Sequence, residues 1–222
     1  MPRSARNQNS TRISTRHRLL EAAGDIIAQK GYHNATVRDI CRRARTNVAA
    51  VNYYFGSKRR LYAAVLQYAH RCAIQKCPPA HDLPPDAPPQ DRLKAYVRSL
   101  LQRLFDQGKP AAWHNKLIAR EIIEPTGALE SLVRHSIKPQ YEALSGIIEE
   151  LLGGPGPAER VRACAISVVG QCMHLYHARP VLTRLAPDMG YQPADIERWA
   201  DHIARFSLAA IQIMRDADGS AA

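Results

Sequence analysis

Apolar residues recur along most of the chain at intervals of three and four residues, the spacing of one face of an α-helix. The segment 193–214 shows this pattern clearly. Its main apolar set is Ile196, Trp199, Ile203, Phe206, Ala210 and Ile213. A second set runs beside it, at Ala200, Ala204, Leu208 and Ile211. No segment shows the apolar and polar alternation of a half-buried β-strand, so the pattern predicts an all-α protein.

Glycine- and proline-rich segments separate the predicted helices. Apolar stripes of helical spacing occupy the stretch from 91 to 123. The long helix expected at 128–152 contains Pro139, which should kink it or divide it in two. The other predicted helices lie at about 14–30, 37–44, 48–55, 58–75, 158–178 and 193–214.

A proline-rich stretch marks a predicted domain boundary, because residues 77–90 contain six prolines and cannot form a continuous helix. Residues 1–13 are basic, polar and without periodicity, which predicts a disordered arm. The predicted organisation is the arm 1–13, a small helical domain 14–76, the linker 77–90, a larger helical domain 91–216 and a tail 217–222.

Three predicted helix N-caps follow one another closely in the small domain. Thr36 can cap the helix 37–44, Asn47 can cap the helix 48–55, and Ser57 can cap the helix that follows. Two short helices around a tight turn form a helix-turn-helix. In DNA-binding proteins, the second helix of this motif lies in the major groove.

The positive charge of the chain is concentrated in its first third. The whole chain has a formal net charge of +11. Residues 1–76 hold 15 Lys and Arg against three Asp and Glu, and the remainder holds 16 against 17. A localised basic excess predicts binding to a polyanion such as nucleic acid. The alternative is a solvated basic face that serves only solubility.

The stretch TVRDICRRARTNVAAVNYYFGSKRRL resembles the DNA-binding domain of the TetR family of bacterial regulators. The word NVAAVNYYFGSK resembles one subgroup of that family. WHNKLIAREIIEPTGALE and SVVGQCMHLYHARPVL resemble the C-terminal domain of the same subgroup. The matching positions are Thr36, Val37, Ile40, Ala44, Tyr54, Phe55, Ser57, Lys58 and Leu61. The departures from the family pattern are Arg45, Thr46, Asn47 and Asn52.

This resemblance implies a three-helix helix-turn-helix DNA-binding domain at 14–76 and a larger helical ligand-binding and dimerisation domain at 91–216. It further implies a homodimer, a palindromic operator of double-stranded DNA and a small-molecule inducer of unknown identity. We therefore predict a repressor that a ligand releases from its operator. The first alternative is a constitutive, ligand-free DNA-binding regulator. An enzyme is a more distant alternative, because the sequence shows no catalytic, phosphate-loop or metal signature.

Candidate DNA contacts cluster in the helix-turn-helix stretch. Asn52 can present a donor and an acceptor to adenine, whereas Val48 and Ala49 offer methyl contacts to thymine. The arm 1–13 is a further candidate for contacts to phosphates or the minor groove. The predicted DNA-binding set is Thr36, Arg38, Arg45, Asn47, Val48, Ala49, Asn52, Tyr53, Tyr54 and Lys58.

Two residues of this stretch carry specific expectations. Phe55 is expected to pack in the core rather than to contact DNA. Arg45 stands where the family pattern has a turn glycine, and a left-handed residue with a side chain is strained. The turn therefore either avoids positive φ or carries a modest energetic cost.

Polar residues on otherwise apolar helices are the candidate ligand contacts. Ser167, Gln171 and His174 are spaced i, i+4 and i+7, and His114 and Glu121 are spaced i and i+7 on another helix. Such groups can orient a small molecule in an apolar cavity. Alternatively, they hydrogen-bond one another or lie near solvent. The predicted ligand-binding set is Trp113, His114, Glu121, Gln171 and His174.

The two apolar sets of the final helix predict two neighbours for it. One neighbour is the core of its own subunit, and the other is expected to be a second subunit packed against the helices 158–178 and 193–214. The alternative is a helix that is fully buried inside a monomer. We predict the dimer, because helix-turn-helix proteins commonly bind two-fold symmetric operators.

The five cysteines fit neither a disulfide framework nor a paired Cys-x-x-Cys zinc pattern, which predicts a reducing, cytoplasmic environment. His70, Cys72, Cys77 and His81 match no common metal-site spacing, so no metal is predicted. No cofactor is predicted either. The sequence has no apolar run long enough for a membrane helix and no signal-peptide core at its start.

Overall fold

The structure is a computed structural model that describes residues 4–79, 83–84, 86–106, 108 and 111–219. Every regular element in these ranges is helical, so the predicted all-α class is confirmed. The helices are α1 (Ser4–Lys30), α2 (Val37–Ala44), α3 (Val48–Phe55), α4 (Lys58–Lys76), α5 (Pro89–Phe105), α6 (Ala111–Ile123), α7 (Leu129–Leu132), a π-helical turn (Val133–Ile137), α8 (Lys138–Leu151), α9 (Ala158–His177), α10 (Arg179–Leu185) and α11 (Pro193–Gly219).

The structure differs from the prediction at both ends of the chain. Residues 4–13, predicted as part of a disordered arm, belong to α1. No glycine or proline interrupts the sequence between Ser4 and Ala23, so a helix that forms on the apolar face of α1 can propagate toward the N-terminus. At the other end α11 continues to Gly219. Residues 1–3 and 220–222 of the predicted arm and tail lie outside the described ranges.

Pro139 divides the helix predicted at 128–152. α7 passes into the π-helical turn Val133–Ile137, and α8 begins at Lys138. Proline has no N–H to donate to the carbonyl of His135, four residues earlier, and its ring clashes with that carbonyl in a regular helix. The wider π-turn accommodates both effects.

The chain forms two compact units. The first contains α1 to α3, α4 as far as Cys72, α6, α7 and the π-turn; the second contains the end of α4, α5 and α8 to α11. This division differs from the predicted domains 14–76 and 91–216, because α6 and α7 belong with the helix-turn-helix. The predicted linker 77–90 also contributes Pro89 to the start of α5, while its residues 80–82 and 85 lie outside the description.

A single apolar core holds the first unit together. Trp113 and Leu117 of α6 are buried in it with residues of α1 to α4. Gly24 of α1 makes this packing feasible, since a Cβ at that position would lie 2.5 Å from the Trp113 ring. α6 therefore joins the first unit through a close approach that requires glycine. The largest fully buried side chains of this core include Tyr62, Leu19, Leu20, Ile27, Ile40, Leu61 and Leu66.

A separate core forms the second unit. α5, α8, α9 and α11 each bury one apolar face in it, with Leu93, Leu144, Val168 and Ala200 among the fully enclosed side chains. Arg103 is also buried there and donates a hydrogen bond to the backbone carbonyl of Cys77 at 3.0 Å. Across the described part of the chain, no helix has the length and apolar character needed to cross a bilayer.

Candidate functional site

α2 and α3 form a helix-turn-helix whose ends are fixed by side-chain caps. The Thr36 hydroxyl accepts a hydrogen bond from the N–H of Asp39 at 3.1 Å. The Asn47 side-chain oxygen accepts one from the N–H of Ala50 at 3.0 Å. The Ser57 hydroxyl accepts one from the N–H of Arg60 at 3.2 Å, at the start of α4. The three predicted N-caps are therefore confirmed.

The turn between α2 and α3 has its left-handed residue at Arg45, with φ 52° and ψ 53°. The N–H of Arg45 donates to the carbonyl of Arg42 at 3.3 Å, and the N–H of Thr46 donates to the carbonyl of Cys41 at 3.0 Å. These two bonds are those of a Schellman helix end, a motif that favours glycine at its left-handed position. The turn does not avoid positive φ, so the second expectation applies and Arg45 carries a modest energetic cost.

α3 has one face that is exposed and an opposite face that is buried. Val51 and Phe55 lie in the core of the first unit, which confirms the expectation for Phe55. Large side chains of the opposite face remain accessible, with Val48 44% and Tyr53 62% exposed. The exposed residues that the structure brings together here are Asn47, Val48, Ala49, Asn52 and Tyr53.

The remaining predicted DNA contacts lie around this face. Thr36, Arg38 and Arg45 are exposed. Tyr54 is half-buried, packs against the core of the first unit and makes an edge contact with the Tyr53 ring. Tyr54 therefore packs on the core with part of its side chain and exposes the rest at the surface.

Lys58 is held against the segment between α1 and α2. Its ammonium nitrogen lies 4.5 Å from the centroid of the Tyr32 ring and donates to the carbonyl of His33 at 3.3 Å. Partial burial lowers the pKa of Lys58. An ammonium group has three donors, so this anchor leaves donor capacity for a phosphate. The sequence does not reveal the roles of Tyr32 and His33, because this contact depends on how α4 packs.

Asp39 neutralises part of the basic surface. Its carboxylate lies 2.9 Å from the Lys30 ammonium and 2.6 Å from the Arg42 guanidinium. Hydrogen bonds from Lys30 and Thr36 lower the pKa of Asp39 to about 2. Within the described part of the chain, Arg38 and Arg45 form no such ion pair. Arg38 and Arg45 therefore keep a positive charge that a polyanion can contact.

Three of the predicted ligand contacts are buried in the first unit. Trp113 packs on Gly24, and the ring of His114 lies 5.7 Å from that of His70. Glu121 is only 1% exposed and accepts hydrogen bonds from the N–H and the hydroxyl of Thr126, both at 2.9 Å.

Glu121 also lines a cavity of about 400 Å³ in the first unit. Tyr32, Tyr62 and Arg120 contribute to the same cavity. Burial, reinforced by the neighbouring Glu121 carboxylate, raises the pKa of Tyr62 above its ordinary value. Arg120 donates hydrogen bonds to the backbone carbonyls of Ile27 and Ala28 near the end of α1, at 3.3 and 3.2 Å.

The other two predicted ligand contacts belong to the second unit. Gln171 donates from its side-chain nitrogen to the Ser207 hydroxyl at 3.2 Å and to the Ser167 carbonyl at 3.3 Å. His174 is exposed. The structure thus assigns three of the five residues to one unit and two to the other. Their ligand-binding roles stay predictions.

α11 does not divide into the two apolar faces predicted from the sequence, because its buried face draws on both predicted sets and its exposed Phe206 and Ile213 come from the first set. One face of α11 is buried in the second core through Ile196, Ala200 and Ile203. The other is open in the single chain, where Phe206 is 61% and Ile213 70% exposed. The further exposed apolar side chains on α9 and α11 are Ile166 and Met214.

Among the described residues, no three His, Cys, Asp or Glu side chains are grouped so that they could hold a metal ion. His81, one member of the spacing considered from the sequence, lies outside the described ranges. All five cysteines are free thiols.

Two family models match the chain, one over the helix-turn-helix and the other from α5 into α11, across helices of both units. Residues 19–65 match the model described as bacterial regulatory proteins, tetR family. Residues 89–211 match the model described as HTH-type transcriptional dual regulator CecR, C-terminal domain. The chain is 31% identical to the HTH-type transcriptional dual regulator CecR of Shigella flexneri over 159 residues, which are 66% of this chain and 70% of the relative.

Solved structures share the fold at lower sequence identity. A transcriptional regulator from Rhodococcus sp. Rha1 superposes with a TM-score of 0.62 at 19% identity, over 88% of this chain and 96% of that one. The regulator FadR from Bacillus subtilis, solved in complex with stearoyl-CoA, gives a TM-score of 0.60 at 17% identity, over 86% and 97% of the two chains.

Proposed function

Because this chain belongs to the TetR family of bacterial transcriptional regulators, and is a DNA-binding regulator of transcription, we propose that it acts as a homodimeric repressor released from a palindromic operator by a small molecule. The observation that carries the proposal is the exposed face of α3, which stands on the buried anchors Val51 and Phe55. A helix anchored in this way can enter the major groove without disturbing its own core.

Base recognition is proposed for the centre of that face. Asn52 can make a bidentate pair with adenine, and the methyl groups of Val48 and Ala49 can contact thymine. Phosphate contacts are proposed for the rim, from Thr36 and Lys58 and from the backbone N–H groups at the helix starts. Arg38 is a candidate for contact with guanine. Arg45, Asn47, Tyr53 and Tyr54 complete the proposed interface.

The proposed dimer interface is the open apolar face of α9 and α11. Phe206 and Ile213 expose most of their side chains to water in the single chain. Burial of such side chains stabilises a complex by about 25 cal/mol for each Å² of apolar surface. A two-fold arrangement would place two recognition helices on two half-sites, which supports the proposal of a palindromic operator.

The proposed effector is a small, largely apolar molecule. Gln171 and His174 of the second unit are the first candidates to orient it, and Trp113, His114 and Glu121 of the first unit are the alternative set. An effector that prefers a conformation with poorly spaced recognition helices weakens DNA binding, typically by ~1–3 kcal/mol. The same coupling requires operator DNA to weaken effector binding equally.

A constitutive, ligand-free regulator is the second candidate function. The observation in its favour is that Gln171 and Glu121 already bond within the chain, to Ser207 and Thr126. Polar groups satisfied in this way have less need of a ligand partner. Under this alternative, no small molecule shifts the affinity for the operator.

Sequencing of DNA fragments selected by the purified protein tests the core of the proposal. The expected consensus is an inverted repeat, bound with an affinity that falls steeply as salt is added. Asn52→Ala should lose ~1–3 kcal/mol of discrimination at one base position, whereas Lys58→Ala should weaken all sequences about equally. A consensus without an inverted repeat contradicts the dimeric repressor.

Screening for small molecules that release the operator tests the effector. A releasing molecule should act on the wild type and fail on Gln171→Ala combined with His174→Ala. Equal release in both proteins would make these two side chains structural. If no molecule shifts operator affinity, the constitutive alternative stands.

A further inference from the structure

The cavity of about 400 Å³ in the first unit has the composition of a small-molecule site. The end of α1, the start of α4 and the second half of α6 surround it. The apolar side chains of Ile27 and Leu117 and the aromatic side chains of Tyr32 and Tyr62 form much of its wall. Sites for small ligands combine such a wall with a few polar groups that fix the orientation of the ligand.

The Lys and Arg side chains that line this cavity are already engaged. Arg120 donates hydrogen bonds to the backbone carbonyls of Ile27 and Ala28, at the negative end of the α1 dipole. The Lys30 ammonium lies 2.9 Å from the Asp39 carboxylate. Both positive charges are therefore compensated by groups of the protein itself.

The two carboxylates of the lining have no such compensation. Glu121 is 1% exposed, accepts hydrogen bonds from the N–H and the hydroxyl of Thr126, and interacts with the hydroxyl of Tyr62. These donors are all neutral. Glu124 is exposed at the rim of the cavity. Within the described part of the chain, neither carboxylate forms an ion pair. Since a buried charge is costly without a partner of opposite sign, the cavity favours a positively charged occupant.

We propose that this cavity binds a small organic cation, a primary amine on an aromatic or aliphatic body. Its ammonium group donates to Glu121, because a carboxylate has about four acceptor sites and Thr126 and Tyr62 do not fill all of them. Its apolar body packs against Ile27 and Leu117, away from water. The inference rests on the effector proposal, since it assigns a chemical class to a ligand of the first-unit set.

Titration of the full chain with phenethylamine, in the absence of DNA, tests the charge of the ligand. Phenethyl alcohol is the neutral probe of similar shape, and hydrocinnamate is the anionic one. Since charge-assisted hydrogen bonds are roughly twice as strong as neutral ones, the amine should bind about tenfold more tightly than the alcohol, or ~1.4 kcal/mol. The anion should bind least. No binding of the amine, or equal binding of the amine and the alcohol, would overturn the proposal.

Two neighbouring isoleucines at the end of α6 locate the bound amine. Ile123 is 77% and Ile122 52% exposed, and Ile123 lines the cavity whereas Ile122 does not. Ile123→Lys places an ammonium group at the rim and should weaken phenethylamine binding several-fold through like-charge repulsion. Ile122→Lys adds the same charge and should keep nearly the wild-type affinity. Equal affinities of these two variants would place the amine elsewhere and contradict the proposal.

Glu121→Gln tests the buried carboxylate. The change keeps the shape of the side chain and removes its charge, so it should abolish the preference for the amine over the alcohol. Glu130→Gln is the matched control, because Glu130 is exposed on α7 of the same unit and does not line the cavity. This control should keep the preference. Glu124→Gln, at the exposed rim, should reduce the preference by a smaller factor.

Urea unfolding checks that Glu121→Gln remains folded, and Glu124→Gln decides the question if it does not. An unchanged preference in the folded carboxylate variants would overturn the proposal. Because these titrations contain no DNA, a failure to find any operator-releasing molecule leaves their result intact. Absence of amine binding, in turn, refutes this site and leaves Gln171 and His174 as the effector candidates.

Discussion

The ammonium nitrogen of Lys58 lies 4.5 Å from the centroid of the Tyr32 ring. It also donates to the backbone carbonyl of His33, so the start of α4 is tied to the segment that leads into α2. A cation over an aromatic face contributes ~0.5–2 kcal/mol, depending on exposure.

Tyr32→Leu should therefore destabilise the protein and weaken operator binding, whereas Tyr32→Phe, which keeps the ring, should change both far less. Urea unfolding of these variants in the wild-type and Lys58→Met backgrounds measures the coupling between the two side chains. We expect a coupling of ~0.5–1 kcal/mol for this partly exposed pair. Additive effects of the two substitutions would show that the contact adds nothing to stability.

The ionisation of Asp39 should make the stability of the protein depend on pH in the acid range. Its pKa is lowered from 3.8 to about 2 in the folded protein, so it contributes stability above its unfolded pKa and loses it as pH falls through the folded one. The stability difference between wild type and Asp39→Asn should be full at pH 7 and vanish as pH falls from about 4 to 2. A difference independent of pH would show that Asp39 acts through packing.

Gly24 should tolerate no side chain. Gly24→Ala places a Cβ 2.5 Å from the Trp113 ring, and overpacking of this kind costs ~1–3 kcal/mol. Gly146→Ala is the control, because a Cβ there meets nothing within 4 Å. That change inside α8 should stabilise by ~0.4–1 kcal/mol. Urea unfolding of both variants makes the comparison, and equal stability would place Trp113 elsewhere.

Arg45 should separate stability from DNA binding. Arg45→Gly removes the strain of a left-handed residue, about 1 kcal/mol, and also removes the proposed DNA contact. Arg45→Ala removes the contact but keeps the strain. We expect Arg45→Gly to be more stable than the wild type, as measured by urea unfolding. Both variants should bind the operator less tightly, as measured by titration. Unchanged binding in both would remove Arg45 from the interface.

Charge on the open face of α11 should prevent dimerisation. Phe206→Asp combined with Ile213→Asp introduces two carboxylates where burial would require their desolvation. Sedimentation should show monomers, and operator affinity should fall because the two recognition helices are no longer linked. Ile122→Asp with Val133→Asp is the control, since both residues are exposed in the first unit. Dimers in the α11 variant would place the interface elsewhere.

The sequence predicted the features that depend on local chemistry. Thr36, Asn47 and Ser57 were identifiable as caps because each side chain bonds to backbone only a few residues away. Pro139 was identifiable as a break because the missing N–H belongs to the residue itself. The all-α class followed from apolar spacing within single helices.

The sequence did not predict features that depend on distant partners. Gly24 lies inside a predicted helix, and its role appears only when the Trp113 ring packs on it. Helical spacing predicts Gln171 as a ligand contact, but its partner Ser207 lies on a different helix. Spacing along one helix identifies residues on a common face, and it does not show what another helix brings to that face.

The packing of Trp113 and Leu117 into the first core has a consequence for synthesis of the protein. The helix-turn-helix leaves the ribosome early, but its core lacks α6 until the chain has grown past residue 123. A chain stalled before α6 therefore holds all the proposed DNA-reading residues but lacks Trp113 and Leu117, which cover Gly24 and complete the first core.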